Sequence, residues 1–138
     1  MSLLIEQRVI DGIVILDLNG ALTSGTGDVE LRDKLSSLRR SGKVNIVLNL
    51  REVSHLDSSG LGTLVFALAK LTKAHGRLTL ANVNPKHMHL FILTKLAIAF
   101  EFFNDEQDAV NSFFPDRSMK HFDILEFVQR EEANGAFH

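Results

Sequence analysis

The fold of this chain is decided by residues 44–62, which read VNIVLNLREVSHLDSSGLG. Residues 44–50 form a β-branched, apolar run that is typical of a buried strand. After a loop, a helix is predicted over residues 58–75, because apolar residues recur there at the i, i+3, i+4, i+7 spacing of one buried face. These residues are Leu61, Leu64, Val65, Leu68 and Leu71. A buried strand followed by an amphipathic helix indicates an α/β domain.

The segments on either side continue this alternation of strands and helices. Upstream, Asp11-Gly12 is a two-residue hairpin signal between two apolar runs. The predicted strands are 3–10, 13–18, 44–50, 77–83 and 98–103, and the predicted helices are 28–40, 58–75, 85–95 and 105–115. Strands that alternate with helices after an opening hairpin predict an α/β fold with a mixed β-sheet and packed α-helices.

The composition is that of an ordinary globular domain. The 138 residues are 45% hydrophobic and 23% charged, the formal net charge is −2, and there is no cysteine. The near balance of charge argues against direct nucleic-acid binding, and the lack of cysteine excludes disulfide, thiolate-metal and cysteine-nucleophile chemistry. The start shows no basic region before a long apolar run, and the longest uncharged run, residues 58–69, is shorter than the roughly 20 residues of a spanning helix. We therefore expect a cytoplasmic protein without membrane insertion.

The chain is predicted to form one domain over residues 1–115 and a C-terminal extension over residues 116–138. The extension differs in composition, since nine of the ten phenylalanines lie beyond position 90. Its apolar residues recur at three-residue spacing, which predicts an amphipathic helix that runs to about residue 132. They are Met119, Phe122, Leu125 and Val128, with Ile124 and Phe127 widening the stripe. Such a helix either docks on its own domain or forms a contact with a partner, including a homodimer contact.

The block Asp57-Ser58-Ser59-Gly60-Leu61-Gly62 is the part of the sequence that most favours a functional site. The amino terminus of a helix leaves backbone N–H groups unpaired and carries partial positive charge, so it attracts anions. A hydroxyl at this position lies at the surface, and a phosphate placed on it would accept those N–H groups. The alternative interpretation is structural: an Asp/Ser turn followed by a helix cap.

Over residues 20–109 the sequence resembles the STAS domain of bacterial anti-sigma factor antagonists. The resemblance rests on residues 44–50 and 53–62, above all on the Asp-Ser-Ser-Gly-Leu-Gly block, with weaker support from Gly20-Ala21-Leu22. It implies that Ser58 is the phosphoacceptor of a cognate anti-sigma factor, a serine kinase that uses ATP. It also implies a serine phosphatase that restores the unmodified form, which binds the kinase and releases the sigma factor. The family often has an aspartate after its Gly-x-Leu, where this chain has Thr23.

The residues expected on the partner-facing surface surround Ser58 or share an exposed side of the following helix. They are Asp57, Ser59, Gly60, Gly62, Thr63 and Phe66. Asp57 either orients the loop and contacts the kinase, or caps the helix. Phe66 is either an anchor for a partner or packs under the C-terminal extension. The two glycines are expected to keep the first helical turn bare, so that another protein can approach closely.

No other pattern in the sequence indicates a catalytic, cofactor or metal site. His87 and His89 have strand-like spacing within a predicted helix, so their side chains diverge. A phosphate-binding Walker loop, a dinucleotide fingerprint and a Gly-x-Ser-x-Gly elbow are all lacking. We therefore expect a binding protein that is not an enzyme and needs no cofactor. Two alternatives stay open: an accessory subunit of a membrane transport complex, and a ligand-sensing domain.

Overall fold

The computed structural model describes residues 2–135. Met1 and residues 136–138, the outermost parts of the two predicted segments, lie outside the described residues. The elements are β1 Leu3–Ile10, β2 Ile13–Leu22, α1 Asp28–Arg40, β3 Asn45–Leu56, α2 Ser58–Lys73, β4 Arg77–Ala81, α3 Pro85–Leu93, β5 Glu101–Phe103, α4 Glu106–Asn111 and α5 Ile124–Ala133. No helix among these residues is both long enough and apolar enough to cross a bilayer.

The five strands form one mixed sheet in the order β1-β2-β3-β4-β5. β1 and β2 pair antiparallel through a two-residue hairpin, in which Asp11 and Gly12 both have positive φ, at 54° and 82°. Two positive φ values are the mark of a type I′ turn, whose twist matches that of the strands it joins. The remaining neighbours pair parallel, as helical crossovers require. The predicted mixed α/β sheet is thereby confirmed.

Helices cover both faces of the sheet. Alternate residues of the central strands divide the core into two clusters, because successive side chains of a strand point to opposite faces. Leu16 and Leu48 belong to the larger cluster, which includes apolar residues from α1, α2, α3 and α5. Ile15 and Val47 belong to the smaller one, which α4 closes with Ala109 and Val110.

Strands β2 and β3 extend further than the sequence predicts. The predicted ends were residues 18 and 50, whereas the strands continue to Leu22 and Leu56. The two extensions pair with each other, with Ala21 opposite His55 and Leu22 opposite Leu56, after register shifts that accommodate the bend. The predicted loop before α2 therefore shrinks to the single residue Asp57.

The C-terminal extension docks on its own domain. α5 begins only at Ile124, where Asp123 caps it by accepting the backbone N–H of Glu126 at 2.9 Å. Phe127 is 2% exposed and its ring lies 5.4 Å from that of His89 on α3. The predicted three-residue stripe is wrong in detail: Leu125 is 67% exposed, because a helix repeats every 3.6 residues and turns that position to solvent.

Candidate functional site

The candidate site lies where β3 passes into α2 at the carboxyl edge of the sheet. Ser58 is the first residue of α2 and is exposed. The first N–H groups of a helix have no partner within the helix, so Ser58 presents its hydroxyl beside a locally positive backbone. Because only Asp57 separates strand from helix, the position of Ser58 is fixed relative to the central strand of the sheet.

Asp57 connects the amino terminus of α2 to the loop between β2 and α1. Its Oδ1 accepts the backbone N–H of Gly60 at 2.9 Å, which caps α2, and its Oδ2 accepts the backbone N–H of Ser24 at 3.0 Å. These hydrogen bonds, first from Ser24 and then from Gly60, lower the pKa of the Asp57 carboxyl, because they favour its ionised form. Of the roles considered for Asp57, the structure shows capping and loop orientation.

The loop that Asp57 holds joins β2 to α1. It is a tight turn in which Thr23 and Thr26 exchange backbone hydrogen bonds of 2.7 and 3.0 Å, while Gly25 has a φ of 72°. Thr23, which occupies the position where relatives often have aspartate, is part of this turn. The contact between Ser24 and Asp57 joins residues 33 positions apart. No local sequence pattern predicts a hydrogen bond between a backbone N–H and a side chain that far apart in the sequence.

The two glycines of the block have different roles. A Cβ on Gly60 would lie 2.2 Å from the carbonyl oxygen of Leu22 and 2.8 Å from Leu56 Cδ1, so α2 approaches the ends of β2 and β3 closely at this residue. A Cβ on Gly62 would meet nothing within 4 Å. Gly62 therefore leaves the surface bare, as predicted, whereas the structural role of Gly60 is close packing of helix on sheet.

Ser59 and Thr63 are less accessible than the sequence suggests. Thr63 is 2% exposed, and its hydroxyl donates to the carbonyl oxygen of Ser59 at 3.2 Å. The placement of Thr63 on the exposed side of the helix is therefore wrong. Thr63 lines a groove between α1 and α2, and a helical wheel drawn for α2 alone does not take α1 into account. Ser59 is half-buried.

Phe66 lies on the same groove and stays 47% exposed. The residues that line the groove all belong to α1 and α2, so Phe66 is not packed under the C-terminal extension. Lys70 places its ammonium 5.2 Å from the centre of the Phe66 ring. With Arg32 and Arg39 on α1, this groove combines an exposed aromatic ring with three cationic side chains.

The histidines of α3 form no metal site with their surroundings. Among residues 2–135 no group of three or more His, Asp or Glu side chains is arranged to hold a metal ion. His87 is 2% exposed, and neither of its ring nitrogens has a hydrogen-bond partner within that part of the chain. Burial, followed by the charges of Lys86 and His55, lowers the pKa of His87. His87 is therefore a neutral core residue at neutral pH.

Comparison with known proteins places this architecture in a family. A STAS domain family model matches residues 5–109. The chain is 27% identical over 110 residues to an anti-sigma F factor antagonist of Paenibacillus polymyxa, with 80% of this chain and 94% of that protein covered. It is 33% identical over 96 residues to an anti-sigma-B factor antagonist of Staphylococcus aureus, with 70% and 88% covered.

Solved structures agree with this result. The Bacillus cell fate determinant SpoIIAA in its phosphorylated form matches with a TM-score of 0.62 at 25% identity, over 81% of this chain and 99% of that one. An anti-sigma factor antagonist from Mycobacterium paratuberculosis shares the fold, with a TM-score of 0.72 at 22% identity over 80% and 93% of the two chains. The five-stranded mixed sheet, the helices on both of its faces and the matched segment together show that this chain belongs to the STAS domain family.

Proposed function

We propose that this protein is an anti-sigma factor antagonist that phosphorylation of Ser58 switches off. The observation that carries the proposal is the exposed hydroxyl of Ser58 at the start of α2, next to a carboxylate that already organises two loops. The names of the matched relatives support an antagonist function, and SpoIIAA, which the chain resembles at 25% identity, has been solved in a phosphorylated form.

The proposed cycle needs no cofactor bound to this chain. The unphosphorylated form binds a cognate anti-sigma factor, which is a serine kinase, and the bound sigma factor is released. Within that complex the Ser58 oxygen attacks the γ-phosphorus of the ATP held by the kinase; ADP leaves and the hydroxyl proton passes to a base of the kinase. A serine phosphatase returns Ser58 to its free form by transferring the phosphoryl group to water.

Phosphorylation is expected to act on the partner interface. A phosphate adds about −1.5 to −2 charges at pH 7, beside the ionised Asp57 and the bare surface at Gly62. A carboxylate of the partner that lies 4 Å from this phosphate would be repelled by about 4 kcal/mol per pair of charges at an effective dielectric constant of 20. Since about 1.4 kcal/mol changes an affinity tenfold, a fraction of this repulsion is enough to release a partner. Ser59 and Phe66 belong to the same proposed surface, with Phe66 as its apolar anchor, whereas the buried Thr63 is not part of it.

The test is an affinity capture from lysate of the source cells with four baits. These are the wild-type chain, Ser58→Ala, Ser58→Glu and Ser37→Glu, the last being a control that makes the same change at an exposed serine of α1 outside the proposed surface. We expect the wild type, Ser58→Ala and Ser37→Glu to retain a serine kinase of the anti-sigma class, and Ser58→Glu to lose it. The captured kinase and ATP should then add one phosphate to the wild type and to Ser37→Glu, but not to Ser58→Ala. Retention of membrane transport components by all four baits would contradict the proposal.

A further inference from the structure

The two edge strands of the sheet, β1 and β5, differ in whether another segment of the chain covers them. At the β5 edge, the backbone N–H of Phe122 donates to the carbonyl oxygen of Phe102 at 2.9 Å, and His121 forms a bridge with Phe103. At the opposite edge, β1 pairs with β2 alone. Within residues 2–135 no segment pairs with the outer side of β1. An uncovered edge of this length is a template for pairing with another strand.

The hairpin determines which backbone groups of β1 face outward. Ile10 and Ile13 flank the two-residue turn, so they form the pair that closes the hairpin. Hydrogen-bonding direction alternates along an antiparallel strand, so even-numbered residues of β1 bond to β2 and the odd-numbered Ile5, Gln7 and Val9 point their N–H and C=O groups outward. The pairing with β2 is unbroken from Leu3 to Ile10, and the strand contains neither proline nor lysine, the usual protections of an edge.

The sequence of β1, LLIEQRVI, is complementary to itself in one antiparallel register. With Gln7 opposite Gln7 of a second copy, Glu6 lies opposite Arg8, Ile5 opposite Val9, and Leu4 opposite Ile10. Apolar pairs in such directly opposed positions stabilise a sheet. The pairing would also cover Leu4 and Val9, which are 64% and 57% exposed.

The neighbouring registers lack this complementarity. A two-fold axis perpendicular to the sheet keeps each side chain on its own face, so only registers shifted by two residues compete. One of them places Glu6 opposite Glu6, and the other places Arg8 opposite Arg8; like charges in directly opposed positions destabilise a sheet. Arg8 already pairs with Asp17 at 2.6 Å and with Glu106 at 3.0 Å in its own chain, so the Gln7 register avoids the repulsion between two Glu6 side chains but gains little from Glu6 facing Arg8.

We propose that two copies of this chain associate through β1, with Gln7 on the two-fold axis, to form a continuous ten-stranded sheet. The occupant of the free edge is thus a second copy, held by backbone hydrogen bonds at Ile5, Gln7 and Val9 and by the apolar pairs that cover Leu4 and Val9. This interface differs from a dimer through the C-terminal extension, whose buried side is occupied by its own domain. It is independent of phosphorylation at Ser58.

A single introduced cysteine tests the register directly, because the chain has none of its own. Hydrogen-bonded residues that face each other in an antiparallel pair have Cα atoms about 5.5 Å apart, within the range of a disulfide. Gln7→Cys should therefore form a disulfide-linked dimer under mild oxidation. Val9→Cys is the matched control, since both side chains are exposed but the two copies of position 9 lie about 13 Å apart along the strands.

We expect Gln7→Cys to cross-link at least about tenfold faster than Val9→Cys, because association gives paired thiols an effective concentration in the millimolar range. Sedimentation equilibrium of the wild type should show a dimer. Gln7→Pro and Leu4→Lys should both give monomers with unchanged circular dichroism, because the N–H of Gln7 faces outward and Leu4 is 64% exposed. Glu30→Lys, on α1, should remain dimeric. A monomeric wild type, or equal cross-linking of the two cysteine variants, would overturn the proposal.

Discussion

Replacing Gly60 by alanine tests whether helix α2 is held against the sheet as tightly as the structure shows. The new Cβ would lie 2.2 Å from the carbonyl oxygen of Leu22, whereas ordinary contact begins at 3.4 Å. The first contact is with backbone at the end of β2, which has no side-chain rotamer to change. Either α2 or the end of β2 must therefore move by about 1 Å, and the loop that Asp57 ties to α2 would move with it.

The free energies follow from this geometry. Inserting a methyl group into a packed site of this kind costs about 1–3 kcal/mol, and the gain of alanine over glycine in a helix offsets up to about 1 kcal/mol of it. Gly62→Ala is the matched control two residues along the same helix. It makes the same chemical change where nothing lies within 4 Å, so it should stabilise the protein by about 0.5–1 kcal/mol.

Urea unfolding followed by circular dichroism measures both variants. We expect the midpoint of Gly60→Ala to fall and that of Gly62→Ala to rise, with unchanged m values. A result in which the two variants shift in the same direction and by the same amount would refute the close approach of α2 to β2. Because Gly62 is proposed to keep the partner surface bare, Gly62→Ala should weaken kinase binding while it stabilises the fold, and unchanged binding would contradict that role.

Three further predictions concern single residues. Asp57→Ala should cost about 1–2 kcal/mol in urea unfolding, because the α2 cap and the Ser24 contact are both lost, whereas Asp57→Asn, which keeps one acceptor oxygen, should cost less. Phe127→Ala should cost about 3–5 kcal/mol and Leu125→Ala less than about 0.5, because one side chain is buried and the other exposed. Burial lowers the pKa of His87 in the folded protein, so the unfolded chain binds the proton more tightly. The free energy of unfolding should therefore be largest above about pH 6.5, the ordinary pKa of histidine, and should decrease as the pH falls below that value. His87→Phe should flatten this decline relative to the wild type in unfolding experiments at pH 7 and pH 5.

The sequence predicts the order of elements well because each signal is local. The Asp11-Gly12 turn, the apolar run of β3 and helix α2 each depend on neighbours within one element, and all three are found. Within α2, Leu61, Leu64 and Leu71 are buried as the spacing predicts, whereas Val65 is 37% exposed. Element ends are less predictable. β3 continues through residues 51–56, four of which are polar, because β2 supplies a pairing partner for them, and a pattern search along one segment does not detect that partner.

In the candidate site, too, features that depend on the local motif are predicted and features that depend on another element are not. The exposed Ser58 and the bare surface at Gly62 follow from the local motif and are found. The burial of Thr63, the close packing at Gly60 and the hydrogen bond from Ser24 to Asp57 all depend on α1 or β2, which are distant in sequence. The residues that the sequence placed wrongly are therefore those whose environment is built by another element.

The geometry at Ser58 also separates an effect on binding from an effect on folding. A phosphate there would be attracted to the amino terminus of α2 by about 0.3–1 kcal/mol per charge and, if its charge lies about 4 Å from that of Asp57, repelled by about 1 kcal/mol in bulk water. These contributions oppose each other at an exposed position, so the fold should tolerate the modification. When a partner covers the site, water is excluded and both electrostatic contributions increase as the effective dielectric constant falls, while burying the phosphate charge without a paired cation costs additional free energy. A serine at this junction can therefore carry a charge that the free protein accepts and a complex does not.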